Sequence, residues 1–203
     1  TAFLRNILKT NMNTKICIGI PTAGTVKTKT LFSIIRMFKQ SSFEYIIVTP
    51  ESCYVHWSRE YIVQRAIERK CSHVLFIDSD MFFEGDAAER LLKRDKDIIG
   101  VSYNLRQLPA ISTLKVTDES GNKIQEEYPD GLLKCIAVAT GFLLIKTSVF
   151  EKLSEPWFFF ESNDKGEVVY GEDMWFCQKA RRAGFDIWCD TTIKVGHIGD
   201  YIY

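Results

Sequence analysis

The sequence lacks most of the signatures that would fix a function at sight. None of its six cysteines forms a C-x-x-C pair, which excludes zinc-ribbon and thioredoxin chemistry. No apolar run approaches the ~18 residues of a membrane-crossing helix, and residues 1–14 carry no apolar signal core. The turn after the first strand has neither G-x-G-x-x-G nor G-K-[ST] spacing, so neither a dinucleotide fingerprint nor a P-loop is indicated. Charge of one sign is also missing: 26 basic and 26 acidic residues give a formal net charge of zero. That argues against a general nucleic-acid or polybasic membrane binder and leaves one charged small-molecule ligand open. There is no internal repeat and no low-complexity tract.

What is present is enough for one α/β domain. The 203 residues can bury a sizeable core. Cys17, Cys135, Cys177 and Cys189 lie in apolar, strand-like surroundings and read as buried thiols. A reducing, cytoplasmic compartment fits them better than a disulfide scaffold. Thr1 stands where a start Met would be, which leaves room for further domains in a longer chain.

The first half alternates strands and helices. Strands are expected at Ile16–Ile20, Phe43–Val48, His73–Ile77 and Ile98–Tyr103, and helices at Lys29–Phe38, Ser58–Lys70 and Asp86–Lys93. This β-α-β-α-β rhythm predicts a mostly parallel, right-handed, Rossmann-like sheet flanked by helices. The second half changes character. Ser112–Tyr128 reads as a polar hairpin around Glu119-Ser120-Gly121-Asn122, and Pro129-Asp130-Gly131 as a turn. Leu132–Lys146 is apolar and broken at Thr140-Gly141. Short helices are expected at Ser148–Leu153 and Gly171–Ala183, the latter stopped by Gly184, before a last strand at Phe185–Cys189. The division is a nucleotide half, about 15–104, and a mixed acceptor half, about 105–203, in one domain spanning 1–203.

The chemistry concentrates where apolar strands stop. His73–Ile77 ends on Asp78-Ser79-Asp80, and the carboxyl end of a parallel strand is where ligands bind. Two carboxylates there repel each other and lose solvation unless a divalent cation neutralises them. Metal binding through Asp78 and Asp80 therefore outweighs a solvated turn. Glu172-Asp173 opens a helix, where the macrodipole favours acids; the pair reads either as a cap or as cleft carboxylates able to accept a proton. His197, between two glycines, is either structural or a third metal ligand. Pro21, Thr22, Ala23 and Gly24 follow the first strand and are candidate base or ribose contacts. Arg59 either reaches a phosphate, pairs with Asp78, or is a surface helix charge. Gly141 marks close backbone approach, by a sugar in the functional reading. Trp157-Phe158-Phe159-Phe160 reads as core before it reads as a platform for a sugar ring.

In order and spacing these pieces resemble a glycosyltransferase of the GT-A fold. The match runs through I-G-I-P-T-A-G, S-R-E-Y-I-V-Q-R-A, V-L-F-I-D-S-D-M, T-G-F-L-L-I-K with V-F-E-K-L, G-E-D-M-W-F-C-Q-K-A-R-R-A-G and V-G-H-I-G, covering most of residues 15–199. More narrowly, the set is similar to chlorella-virus glycosyltransferase domains, which would make the compartment the host cytoplasm. The resemblance implies a UDP-sugar donor, Mn²⁺ or Mg²⁺, and a glycan or glycoprotein acceptor. It places Asp80 and His197 on the metal, Asp78 on the donor ribose or metal-bound water, and Thr22, Gly24 and Arg59 near the nucleoside, with Ser79 between the two aspartates. Gly141 would border the donor sugar, and Glu172 and Asp173 would face the reacting centre. If the reaction inverts, Asp173 is the base; if it retains, Asp173 or Glu172 orients the donor sugar.

Two other readings use the same residues. A Mg²⁺-dependent phosphatase of the haloacid-dehalogenase type would make Asp78 a nucleophile. That pattern wants Thr or Val where Phe82 stands and opens the first strand rather than the third. A non-catalytic nucleotide-sugar-binding module has less need of the Asp-x-Asp, Glu-Asp and His set together.

Overall fold

The computed structural model describes residues 14–106, 112–114, 116–117, 123–124 and 129–199. The strands are β1 (Lys15–Gly19), β2 (Glu44–Val48), β3 (His73–Ile77), β4 (Met81–Phe83), β5 (Ile98–Gly100), β6 (Val116–Thr117), β7 (Lys123–Ile124), β8 (Leu132–Cys135), β9 (Phe142–Lys146), β10 (Glu161–Ser162), β11 (Val168–Tyr170), β12 (Ile187–Asp190) and β13 (Val195–His197). The helices are α1 (Thr28–Gln40), α2 (Val55–Glu68), α3 (Ala87–Lys93), α4 (Thr147–Lys152) and α5 (Glu172–Arg182).

Seven strands form one sheet in the order β2-β1-β3-β9-β5-β12-β8. β1 is parallel to β2 and β3, and β12 is parallel to β5. β9 runs antiparallel to both β3 and β5, and β8 antiparallel to β12. The sheet is therefore mixed α/β with most strands in one direction, as the alternating first half predicts. The reversed strand β9, from the second half, is wedged between β3 and β5.

The continuous apolar runs follow from burial on both faces. Along β3, Val74 and Phe76 enter one core while Leu75 and Ile77 enter the other, and all four are fully buried. The first core takes Ile62, Val63 and Ala66 of α2, Phe150 of α4 and Phe176 of α5. The second takes Ile34 and Met37 of α1 and Leu91 of α3. These spacings of three and four put each helix's apolar residues on one stripe.

Local details agree with the sequence. Gly184, at φ +89°, ends α5 in the left-handed region that glycine tolerates. α2 starts three residues earlier than expected and β5 is shorter. Trp157 is core, as its surroundings suggest: its indole Nε1 donates to the Phe150 and Leu153 carbonyls, each at 3.1 Å. Cys17, Cys135, Cys177 and Cys189 are buried free thiols, and burial above all pushes each up to about 12. β6 and β7 pair antiparallel with Val116 opposite Ile124, so both arms of the expected hairpin form; its turn, Glu119–Asn122, lies outside the described residues. No helix among the described residues is long and apolar enough to cross a membrane.

Candidate active site at the carboxyl edge of the sheet

The loops after β1, β2 and β3 are laced together. Thr22 N donates to the Pro50 carbonyl at 3.2 Å, and Ser52 N donates to the Thr22 carbonyl at 2.9 Å. Thr22 Oγ1 donates to the Thr25 carbonyl at 2.7 Å and accepts from Gly24 N at 3.1 Å. Gly24 takes φ +105°, which explains a glycine there. Lys27 N donates to the Ser79 carbonyl at 2.8 Å. Pro21, Thr22, Ala23, Gly24 and Ser79 thus share one rim.

The two aspartates face different partners. Asp78 Oδ1 accepts from Arg59 Nη2 at 2.8 Å, and the Asp78 side chain is 29 % exposed. Asp80 Oδ2 lies 3.3 Å from His197 Nε2 and 3.1 Å from Arg106 Nη1. Burial acts to raise the Asp80 pKa, but the hydrogen bond and charge of His197 and the charge of Arg106 outweigh it and hold the carboxyl below the usual range.

His197 reaches this point through a small ribbon. β13 pairs antiparallel with β4, setting His197 opposite Met81, and Ile198 N donates to the Asp80 carbonyl at 2.8 Å. Its Nδ1 lies 3.3 Å from the Asn104 carbonyl. A proton on Nδ1 satisfies that carbonyl; Nε2 then faces Asp80 either with a second proton, in the charged pair, or with a lone pair open to a cation. Two lone-pair atoms at this separation are held by a shared proton or a cation.

Arg59 is buried to 1 % exposure in α2. Burial alone would lower its pKa; the charges of Asp78 and Glu172 more than offset that and raise it. Its Nε is 3.4 Å from Glu172 Oε1, and its guanidinium sits 5.3 Å from the Phe76 ring centroid. Nη1 is buried with no hydrogen-bond partner among the described residues. Of the sequence alternatives for Arg59, the structure thus shows the pair with Asp78, and the surface-charge reading is corrected by its burial.

The Glu-Asp pair divides as well. Glu172 turns into the polar cluster, with Thr140 Oγ1 donating to its Oε1 at 3.5 Å. Asp173 Oδ1 accepts from Met174 N at 2.6 Å and lines an open groove of about 750 Å³ with Tyr170, Gln178 and Arg181.

Gly141 is closely approached, as a glycine in a strand suggests. The space a β-carbon would need is filled by the Tyr103 hydroxyl and the Met81 methyl. Gly141 N donates to Tyr103 Oη at 3.0 Å, and Asp78 N donates to the Gly141 carbonyl at 2.9 Å. The approach on this side is by protein, so Gly141 shapes the support under Asp78. Sequence reasoning missed Tyr103, whose phenol is raised by burial first and by Asp78 second. It also missed Arg106. Neither sits in a motif, so only the fold shows them.

The donor set suits a hard or borderline divalent cation in part. Among the described residues no three His, Cys, Asp or Glu side chains converge to hold a metal by themselves. Asp80 and His197 offer one oxygen and one nitrogen, and Asp78 is engaged by Arg59. Two protein ligands suffice where a diphosphate and water complete the shell.

No family model matches the sequence, and no curated protein resembles it significantly. Solved structures do share its fold. A197 from STIV superposes with a TM-score of 0.65 at 19 % identity, over 92 % of this chain and 86 % of that one. UDP-glucose pyrophosphorylase complexed with UDP-glucose superposes with a TM-score of 0.51 at 11 % identity, over 90 % of this chain and 91 % of that one. The chain has the mixed α/β fold of these proteins.

Proposed function

We propose that the chain is a metal-dependent glycosyltransferase, one GT-A-like domain that moves a sugar from a UDP-sugar to a hydroxyl of a glycan or glycoprotein. The observation that carries this is the meeting of Asp80 and His197, far apart in the chain, beside Asp78 at the carboxyl edge of the sheet. The likeness to a UDP-glucose-bound fold supports the donor class.

The geometry supports a role for each residue. Asp80 Oδ2 and His197 Nε2 would hold Mn²⁺ or Mg²⁺, which supplies charge neutralisation for a departing diphosphate. Arg106, 3.1 Å from Asp80 and half exposed, would offer its guanidinium to a phosphate oxygen when Asp80 is engaged. Thr22, Ala23 and Gly24, on the exposed rim, would meet the nucleoside. Asp78, fixed by Arg59 and by the Gly141 carbonyl, presents its open edge to the donor ribose. Asp173, in the groove, would take the proton of the acceptor hydroxyl in an inverting reaction or orient the donor sugar in a retaining one. The phosphatase alternative needs Asp78 free to attack phosphorus, whereas Arg59 holds its Oδ1 at 2.8 Å and withdraws electron density from it.

The test is UDP release from a UDP-sugar panel with Mn²⁺, comparing wild type with Asp173→Asn. The expected outcome is a loss of turnover of about 10²–10⁴-fold with UDP binding retained. Unchanged turnover would remove Asp173 as the base, and phosphate release from simple esters in place of UDP release would favour the phosphatase.

A further inference from the structure

The exposed aromatic residues are not scattered. Trp57 is 61 % exposed, Tyr54 53 % and Tyr61 46 %, all on or beside the outer face of α2. Tyr54 and Trp57 belong to a chain of ring contacts. Tyr54 and Trp57 centroids lie 4.8 Å apart, Trp57 and His56 5.7 Å, and His56 meets Phe160 edge-on at 5.2 Å. Phe160 then abuts Gly171, its ring 4.0 Å from where a β-carbon of that glycine would sit; Asp173 Oδ1 is 3.2 Å from the same point. A row of contacts therefore leads from Asp173 out to Trp57. Tyr61, four residues on, lies next along the same helix face.

Rings this exposed mark a surface that meets something. Its continuity with Asp173 points to substrate rather than to a second protein. The strip joins apolar ring faces to polar groups on the same side chains: the phenols of Tyr54 and Tyr61 and the indole N–H of Trp57. That pattern suits pyranose rings, whose C–H faces pack on aromatic faces while their hydroxyls meet polar edges. We propose that Tyr54, Trp57 and Tyr61, with His56 and Phe160, form a docking ramp for a neutral oligosaccharide acceptor whose terminal hydroxyl is delivered to Asp173. This rests on the glycosyltransferase reading and narrows its acceptor to one with several sugar rings. The sugar platform is thus α2's outer face, not Trp157.

The test titrates wild type, Trp57→Phe and Trp57→Ala with cellohexaose, maltohexaose and mannohexaose, followed by the indole N–H resonances in NMR. UDP binding with Mn²⁺ is measured on the same samples. At least one hexaose is expected to bind wild type and shift the Trp57 indole signal. Trp57→Ala should weaken that binding about ten-fold, with Trp57→Phe near wild type and UDP binding unchanged in both. The ramp is overturned if UDP binds but no hexaose does, if Trp57→Ala binds the hexaose as wild type does, or if the strip proves to be a dimer contact that Trp57→Ala dissolves in sedimentation. Trp57-dependent hexaose binding without UDP binding would uphold the ramp and overturn the glycosyltransferase reading alone.

Discussion

Arg59 carries the charge balance of the site. It joins Asp78 after β3 to Glu172 at the start of α5, with its own side chain buried and both carboxylates only partly so. Arg59→Met would leave two carboxylates facing each other without a counter-charge, which costs about 3–5 kcal/mol. Urea denaturation reads this directly, and Arg59→Lys should recover part, keeping the charge without the fork. His73 gives a pH signature. Burial first, and the Lys146 charge second, push its pKa down to about 4 from 6.5. The unfolded chain then takes up a proton near pH 6.5 that the folded state refuses until about pH 4. Stability should fall as pH drops through that window and level off below it, and His73→Leu should flatten that part of the melting profile. The sequence made Asp78, Asp80 and Arg59 legible because a strand end and a helix start are local signals. The tie of Asp80 to His197 was legible only as one of two readings of a histidine among glycines, since nothing local brings distant segments together.

At the scale of elements, the long periodic segments were legible and the short ones were not. β3 and α5 announce themselves by apolar runs, helical spacing and a stopping glycine. β4 and β13 are three residues each, too short for any period to show, yet their pairing delivers His197. The reversal of β9 is decided by partners on both sides, β3 and β5, which no local pattern encodes. The head of β9 is a tight junction: Gly141 packs on Tyr103 and Met81. Gly141→Ala forces a methyl into occupied space and should cost about 1–3 kcal/mol. The thermal midpoint should drop accordingly, and Tyr103→Phe in the same background should recover part by removing the hydroxyl in conflict.

At the scale of the molecule, segments far apart in the chain meet at the site. Asp78 and Arg59 come from the first half and Glu172 from the second; Asp80 comes from the first and His197 from the second. Such cross-chain pairs mean that a ligand bridging them tightens the whole fold, so binding registers as stability. The most direct measurement is thermal unfolding with UDP, in Mn²⁺ and then in EDTA, on wild type and Asp80→Ala. A metal-assisted nucleotide-sugar site predicts a raised midpoint with UDP that requires Mn²⁺ and disappears in Asp80→Ala. No rise with UDP and Mn²⁺, or an equal rise in EDTA, would contradict it.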